Sequence, residues 1–357
     1  MVCYFFSSTY NHPTTRMTTT LTSRCNCGID IHAHIIPGEF PKYLGAAIPR
    51  GWPSMAPAHE CHRNVMIDGK NYRTVSDKCW DTAKRLADFE GMGLQLQVIS
   101  PMPELLAYWL EPKDGAVLTR FLNDQMAAMV AESSGKLRAL GAVPLQDMDL
   151  ALRELRHIMA TPGFAGVEIG SNINGKPIGD AQFDPFFEAC EALNAAVFVH
   201  ALRPTGMERL VGPAPLEQVL GYPSDVGLAA ASVLTTNLIT RRPKLRIAFS
   251  HGGGTLAMLL PRLQQGWGVF PALRNSIETA PAEQARKLFY DTLVFDTPTL
   301  RHLVARFGAS QLMVGTDYPF NFCESTPVAQ IEKAGFDSAT IALLVQDNAK
   351  RFLGMTP

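Results

Sequence analysis

From Gly28 onward the chain alternates short, nearly unbroken apolar runs with longer stretches in which apolar residues recur every three or four positions. The short runs are GIDIH (28–32), LQVIS (96–100), LRALGAV (137–143), FAGVEIG (164–170), AAVFVH (195–200), LRIAFSH (245–251), LFYDTLV (288–294) and LMVGTD (312–317). Each is rich in Val, Ile, Leu or Phe, which is how a strand buried on both faces reads. The longer periodic stretches predict helices over 81–93, 116–133, 148–160 and 183–194. Gly91 and Gly93 read as stops for the first, and Asp184-Pro185 as an N-cap with Pro at N1 for the last. Eight strands alternating with helices predict parallel βα units, and the number suits a closed (β/α)8 barrel. The open doubly wound sheet is the alternative, but no G-x-G-x-x-G follows the first strand.

Two segments break the rhythm. Residues 35–80 separate the first strand from its helix, far more than the usual two to six residues. This insertion contains a hairpin pattern, RNVMIDGKNYRTV (63–75), with Asp68-Gly69 as the turn, and reads as a cap over the barrel mouth. Residues 1–27 are rich in Ser and Thr and contain no acid. They read as a disordered tail, with a transit peptide as the alternative and Met17 as a second possible start. The barrel domain therefore spans 28–357.

Composition narrows the function classes. The chain has 357 residues, 46% hydrophobic and 18% charged, enough for a large core. A net charge of −1 offers no footprint for nucleic acid or an anionic membrane, and no apolar run is long enough to span a bilayer. Seven scattered cysteines without C-x-x-C give no disulfide or zinc-finger framework and point to a reducing, cytoplasmic location.

The candidate chemistry lies at the strand ends. His32 and His34 close the first strand, His200 the fifth, His251 the sixth and Asp317 the eighth. In a parallel barrel all these ends share one rim, so residues far apart in sequence converge. In an extended strand His32 and His34 also project from one face. Three imidazoles and a carboxylate suit a divalent metal such as Zn²⁺, with Asp317 as a ligand or as acceptor of a proton from metal-bound water. Manganese or another divalent ion is the alternative. His251, not needed as a ligand, suits a general acid/base. The fourth strand, ending VEIGSN, has no lysine to bridge two ions, which favours one metal per chain. Its Glu168 is a candidate to orient a metal-bound histidine, or else a structural carboxylate.

Taken together, DIHAH, VFVH, FSHGGG and VGTDYPF resemble the amidohydrolase superfamily, and within it aminocarboxymuconate-semialdehyde decarboxylase and its relatives. The likeness runs from about residue 28 to 353 and includes NYRTV, AVPLQD and DNAKRFLG. It implies zinc on His32, His34, His200 and Asp317, and proton handling by His251. It also implies a substrate carboxylate on Arg73 and a homodimer in which Arg262 reaches the neighbouring site. One stretch departs from the family. Where relatives carry Pro-Trp-Asp after the fifth-strand histidine, this chain has Ala201-Leu202-Arg203, so Arg203 is a candidate contact for a second anionic or phenolic group. The expected activity is zinc-dependent, non-oxidative decarboxylation of a carboxymuconate-semialdehyde-like acid, with no organic cofactor. Decarboxylation of a hydroxybenzoate-type acid and hydrolysis of a lactone or amide are the alternatives, and a non-catalytic metal-binding barrel is the remaining reading.

Overall fold

The computed structural model describes residues 26–355, so the expectation for the N-terminal tail lies outside the described residues except at Asn26 and Cys27. All eight predicted strands form. They are β1 (Gly28–Ile35), β5 (Leu94–Pro101), β6 (Leu137–Gly141), β7 (Phe164–Gly170), β10 (Ala196–His200), β11 (Arg246–Phe249), β12 (Phe289–Asp291) and β13 (Leu312–Met313). They pair in parallel in chain order, β1-β5-β6-β7-β10-β11-β12-β13. The sheet closes on itself: Ile31 N–H donates to the Val314 carbonyl (2.9 Å), His34 N–H to that of Tyr318 (2.7 Å), and Thr316 and Asp317 N–H both to that of His32. This is the (β/α)8 barrel, not the open sheet.

Packing explains which side chains reach the rim. One apolar cluster draws on all eight strands, including Ile29, Ile31, Val98, Leu140, Ala165, Phe198, Ala248, Phe289 and Met313, and is sealed below by Phe352 and Leu353 of the last helix. It is the barrel floor. Ala33, Ile35, Ile99, Val199, Phe249 and Val314 instead pack outward against the helices. Strict alternation from Ile31 would send His32 outward. A bulge prevents this: Asp30 pairs with Gln97 and Ala33 with Ile99, so β1 carries one extra residue there. The Asp30 carboxylate accepts the His32 N–H (3.1 Å), the Gln97 amide (2.9 Å) and the Thr316 hydroxyl (2.6 Å), which fixes the bulge. His32 and His34 consequently both stand inward, one layer above the floor.

The insertion holds an antiparallel sheet of β2 (Pro53–Pro57), β3 (His62–Ile67) and β4 (Lys70–Ser76). The Asp68-Gly69 hairpin is as predicted, and β2 is an added strand that the sequence pattern did not signal. A further two-stranded ribbon, β8 (Asn172–Ile173) with β9 (Lys176–Pro177), follows β7. The helix over 148–160 matches prediction, and Gly93 ends its helix in the left-handed conformation (φ 74°), whereas Gly91 sits inside it. The Asp184 cap does not form. The helix begins at Asp184 itself after a 3-10 turn, with Phe183 as N-cap, and the Asp184 carboxylate pairs with Arg241 (2.6 Å).

Gly254 joins the sixth strand end to its helix at φ +57°, where a Cβ would lie 1.9 Å from the Pro223 carbonyl oxygen. Gly254→Ala is expected to destabilise the fold by about 1–3 kcal/mol or more, since strain and clash combine. A denaturant midpoint unchanged from the parent would contradict this close approach.

Candidate metal centre

The structure brings His32, His34, His200 and Asp317 together: their ligand atoms all lie within 4.8 Å of one another, and all four residues are buried. Each histidine has a hydrogen-bond partner at Nδ1. His32 Nδ1 is 2.7 Å from Asp291 Oδ2, His34 Nδ1 3.1 Å from the Pro101 carbonyl, and His200 Nδ1 2.9 Å from the Ala201 carbonyl. These acceptors fix the proton on Nδ1 in all three rings, so every Nε2 presents a lone pair inward. His32 Nε2 and His34 Nε2 stand 3.1 Å apart, and His34 Nε2 lies 3.0 Å from Asp317 Oδ1. Neither His200 Nε2 nor Asp317 Oδ1 has a hydrogen-bond partner among the described residues. Converging lone pairs with no proton between them repel unless a cation lies among them. The donor set of three imidazoles and one carboxylate therefore fits a divalent metal.

Electrostatics favours the ligating forms. Burial pushes His32 and His34 down to about 3, and moves His200 well below the usual histidine range. The rings are thus neutral at pH 7, as metal ligation requires. Asp317 sits at φ +62° and His251 at φ +53°, both in the left-handed region. Such conformations at non-glycine residues persist only where surrounding contacts over-determine them. At Asp317 the contact is its N–H on the His32 carbonyl (2.9 Å). At His251 it is an N–H bond to Asp291 Oδ2 (3.0 Å), backed by Gly252 N–H on Oδ1 (2.7 Å).

His251 stands beside the cluster, its ring centroid 5.0 Å from that of His200 and 5.5 Å from that of His32. Burial lowers it to about 3, so it too is neutral. Arg73, on β4 of the cap, reaches over the mouth. Its guanidinium lies 4.3 Å above the Phe320 ring, which stacks on His34. Arg73 lines a narrow polar neck with Tyr72, Glu104, His200, Tyr222 and Asp317, and it has no carboxylate partner among the described residues. Arg203 is differently placed. It pairs with Glu104 through two nitrogens and lies 3.1 Å over the Trp109 ring, so its charge is already met. Arg262 is exposed on the helix Leu256–Val269, in a separate groove lined by Leu228, Leu259, Phe270 and Leu273.

Two polar residues carry more than the sequence pattern indicated. Asp291, at the end of the seventh strand, orients His32 and anchors the His251 turn at once. In the sequence it lies in the middle of the run 288–294, so no strand-end position marked it. Asp30, inside the DIHAH motif, holds the bulge. Glu168, a candidate to orient a histidine, accepts instead from Ser100 Oγ (2.6 Å) and stays 3.8 Å from His34 Nδ1, where the Pro101 carbonyl has taken the orienting position.

Comparison with known proteins agrees with this geometry. The family described as amidohydrolase matches residues 29–355. A 2-amino-3-carboxymuconate-6-semialdehyde decarboxylase of Dictyostelium discoideum is 35% identical over 92% of this chain and 92% of its own. The enzyme of that name from Caenorhabditis elegans is 27% identical over 82% of this chain and 85% of its own. Among solved structures, apo IDCase of Metarhizium anisopliae superposes with a TM-score of 0.79 at 20% identity, covering 92% of this chain and 97% of that one.

If Asp291 orients His32, Asp291→Asn should lower metal affinity about 10–100-fold while the chain stays folded. Competition with a chelating dye, alongside circular dichroism, measures both. Unaltered affinity would remove Asp291 from the centre.

Proposed function

The chain belongs to the amidohydrolase family, and we propose that it is a metal-dependent carboxy-lyase that removes CO₂, without oxidation, from a carboxymuconate-semialdehyde-like unsaturated acid. The observation that carries this reading is the half-buried, unpaired Arg73 guanidinium facing the same neck as the convergent ligand set. A planar cation without a protein partner, beside a metal-binding cluster, matches a substrate carboxylate bidentately. The 35% identical relative supports the reaction class.

Zinc, one ion per chain, is the proposed metal, held by His32, His34, His200 and Asp317. When bound, the ion polarises a substrate oxygen as a Lewis acid. The protein groups do the rest. Arg73 fixes the carboxylate and so orients the bond to be broken. His251, neutral at pH 7, enters as a base. It takes a proton from solvent water and delivers it to the carbon that keeps the C–C electron pair as CO₂ departs. Arg203 acts through Glu104, a residue of the neck, by pairing with its carboxylate. Ala201 and Leu202 line the neck.

We further propose a cytoplasmic homodimer in which Arg262 completes the neighbouring site. Its surroundings support this, because Leu228, Met258, Val269 and Phe270 expose an apolar face around it, with Met258 72% exposed.

Metal-loaded protein given 2-amino-3-carboxymuconate-6-semialdehyde is expected to release one CO₂ per substrate consumed, and His251→Asn to retain its metal while losing about 10²–10⁴ in kcat. Ring opening of a lactone with no CO₂ from any acid would replace decarboxylation by hydrolysis, and full activity in His251→Asn would end its proton-transfer role. In a separate test, mixing Arg262→Ala with Asp317→Ala subunits should restore part of the activity. No recovery in demonstrably mixed dimers would dismiss shared sites.

A further inference from the structure

Behind His251 the site opens into a second chamber of about 280 Å³, distinct from the polar neck. His251 and Asp317 form its inner edge. Its walls are apolar: Val219, Pro223, Leu293, Val294, Phe295 and Phe322. The other polar side chains that line it, Gln218 and Thr299, are neutral, so no Arg or Lys among the described residues lines it. Phe295 and Phe322 stack at 4.8 Å between centroids at its outer side. Both rings remain about half exposed, at 46% and 44%. Phe295 is held at φ +61°, a conformation an aromatic residue adopts only under constraint.

From this geometry we infer that the chamber is a subsite for an uncharged, apolar limb of the substrate, projecting past His251 out of the neck that Arg73 lines. The assignment rests on the decarboxylase reading only for placing the carboxylate at the Arg73 side. A carboxylate in the chamber would lose its hydration among apolar walls with no cationic side chain of the described residues to receive it. An apolar limb would cover two half-exposed phenyl rings and displace water from an apolar wall. The carboxylate that leaves therefore belongs to the neck that Arg73 lines, and the chamber selects acids that carry an alkyl or aryl group remote from that carboxylate. Phe295 and Phe322 are specificity residues of this subsite.

The test is binding, so it stands apart from turnover. Calorimetry on metal-loaded protein would compare benzoate with 4-propylbenzoate. A buried methylene contributes about fourfold in affinity, so the propyl acid is expected to bind at least about tenfold more tightly. Thr299→Phe, at an exposed helix position on the chamber wall, should fill the space and abolish that gain without weakening benzoate. Phe322→Ala should reduce the gain by opening the wall, which keeps the test intact if the first variant folds poorly. Equal affinity for the two acids, no binding of the propyl acid, or a gain untouched by both substitutions overturns the subsite. CO₂ release is read in a separate assay, so a failed decarboxylase reading and a failed chamber assignment give different results.

Discussion

Three imidazole lone pairs and one carboxylate oxygen meet in a buried space from which every proton has been directed away. This is the constraint on which the rest of the structure depends. Asp291, the Pro101 carbonyl and the Ala201 carbonyl each engage the far nitrogen of a histidine, so none of the three rings can turn a donor inward without losing a hydrogen bond. Burial then keeps the rings neutral. Such an arrangement is unfavourable by itself, because like-charged electron density converges without screening. It becomes favourable when a divalent cation occupies the centre, and the fold supplies the energy to hold the ligands ready.

That energy comes from barrel closure. The donors on β1 and after β13 lie on opposite sides of the seam where the first and last strands join. The His32 carbonyl accepts both Thr316 and Asp317 N–H, and the Asp30 carboxylate spans the same seam to the Thr316 hydroxyl. The seam that closes the barrel thus also positions His32, His34 and Asp317. Beneath the seam, Arg85 is wholly buried and donates to the His34 carbonyl and Gln97, beside the Tyr318 ring. Gln97 links it to Asp30, whose carboxyl burial raises to about 7, an arrangement that holds only while every partner is present.

Charge also divides the mouth. Glu104 neutralises Arg203, so among the described residues of one subunit Arg73 is the cation of the neck without a carboxylate partner, while the side chains that line the chamber beside His251 include no Arg or Lys.

Much of this was legible in the sequence. Doubly buried strands announce themselves as short apolar runs, and eight of them with intervening helices leave few topologies. Placing His32, His34, His200, His251 and Asp317 at strand ends then follows from the one-sided rim of a parallel barrel. What the sequence could not display was any interaction decided by a single residue of register or by a partner distant in the chain. The extra residue between Asp30 and Ala33 reverses the facing of β1 and is invisible to a count of alternating positions. Whether Asp291 or Glu168 orients a histidine depends on about an ångström of separation between strands, and the pairing of Arg203 with Glu104 depends on two loops meeting. Local pattern determines which segments become strands, because burial acts on each segment separately. Only the closed tertiary structure decides which polar groups touch, because hydrogen bonds are short-ranged and their partners are brought together by the fold.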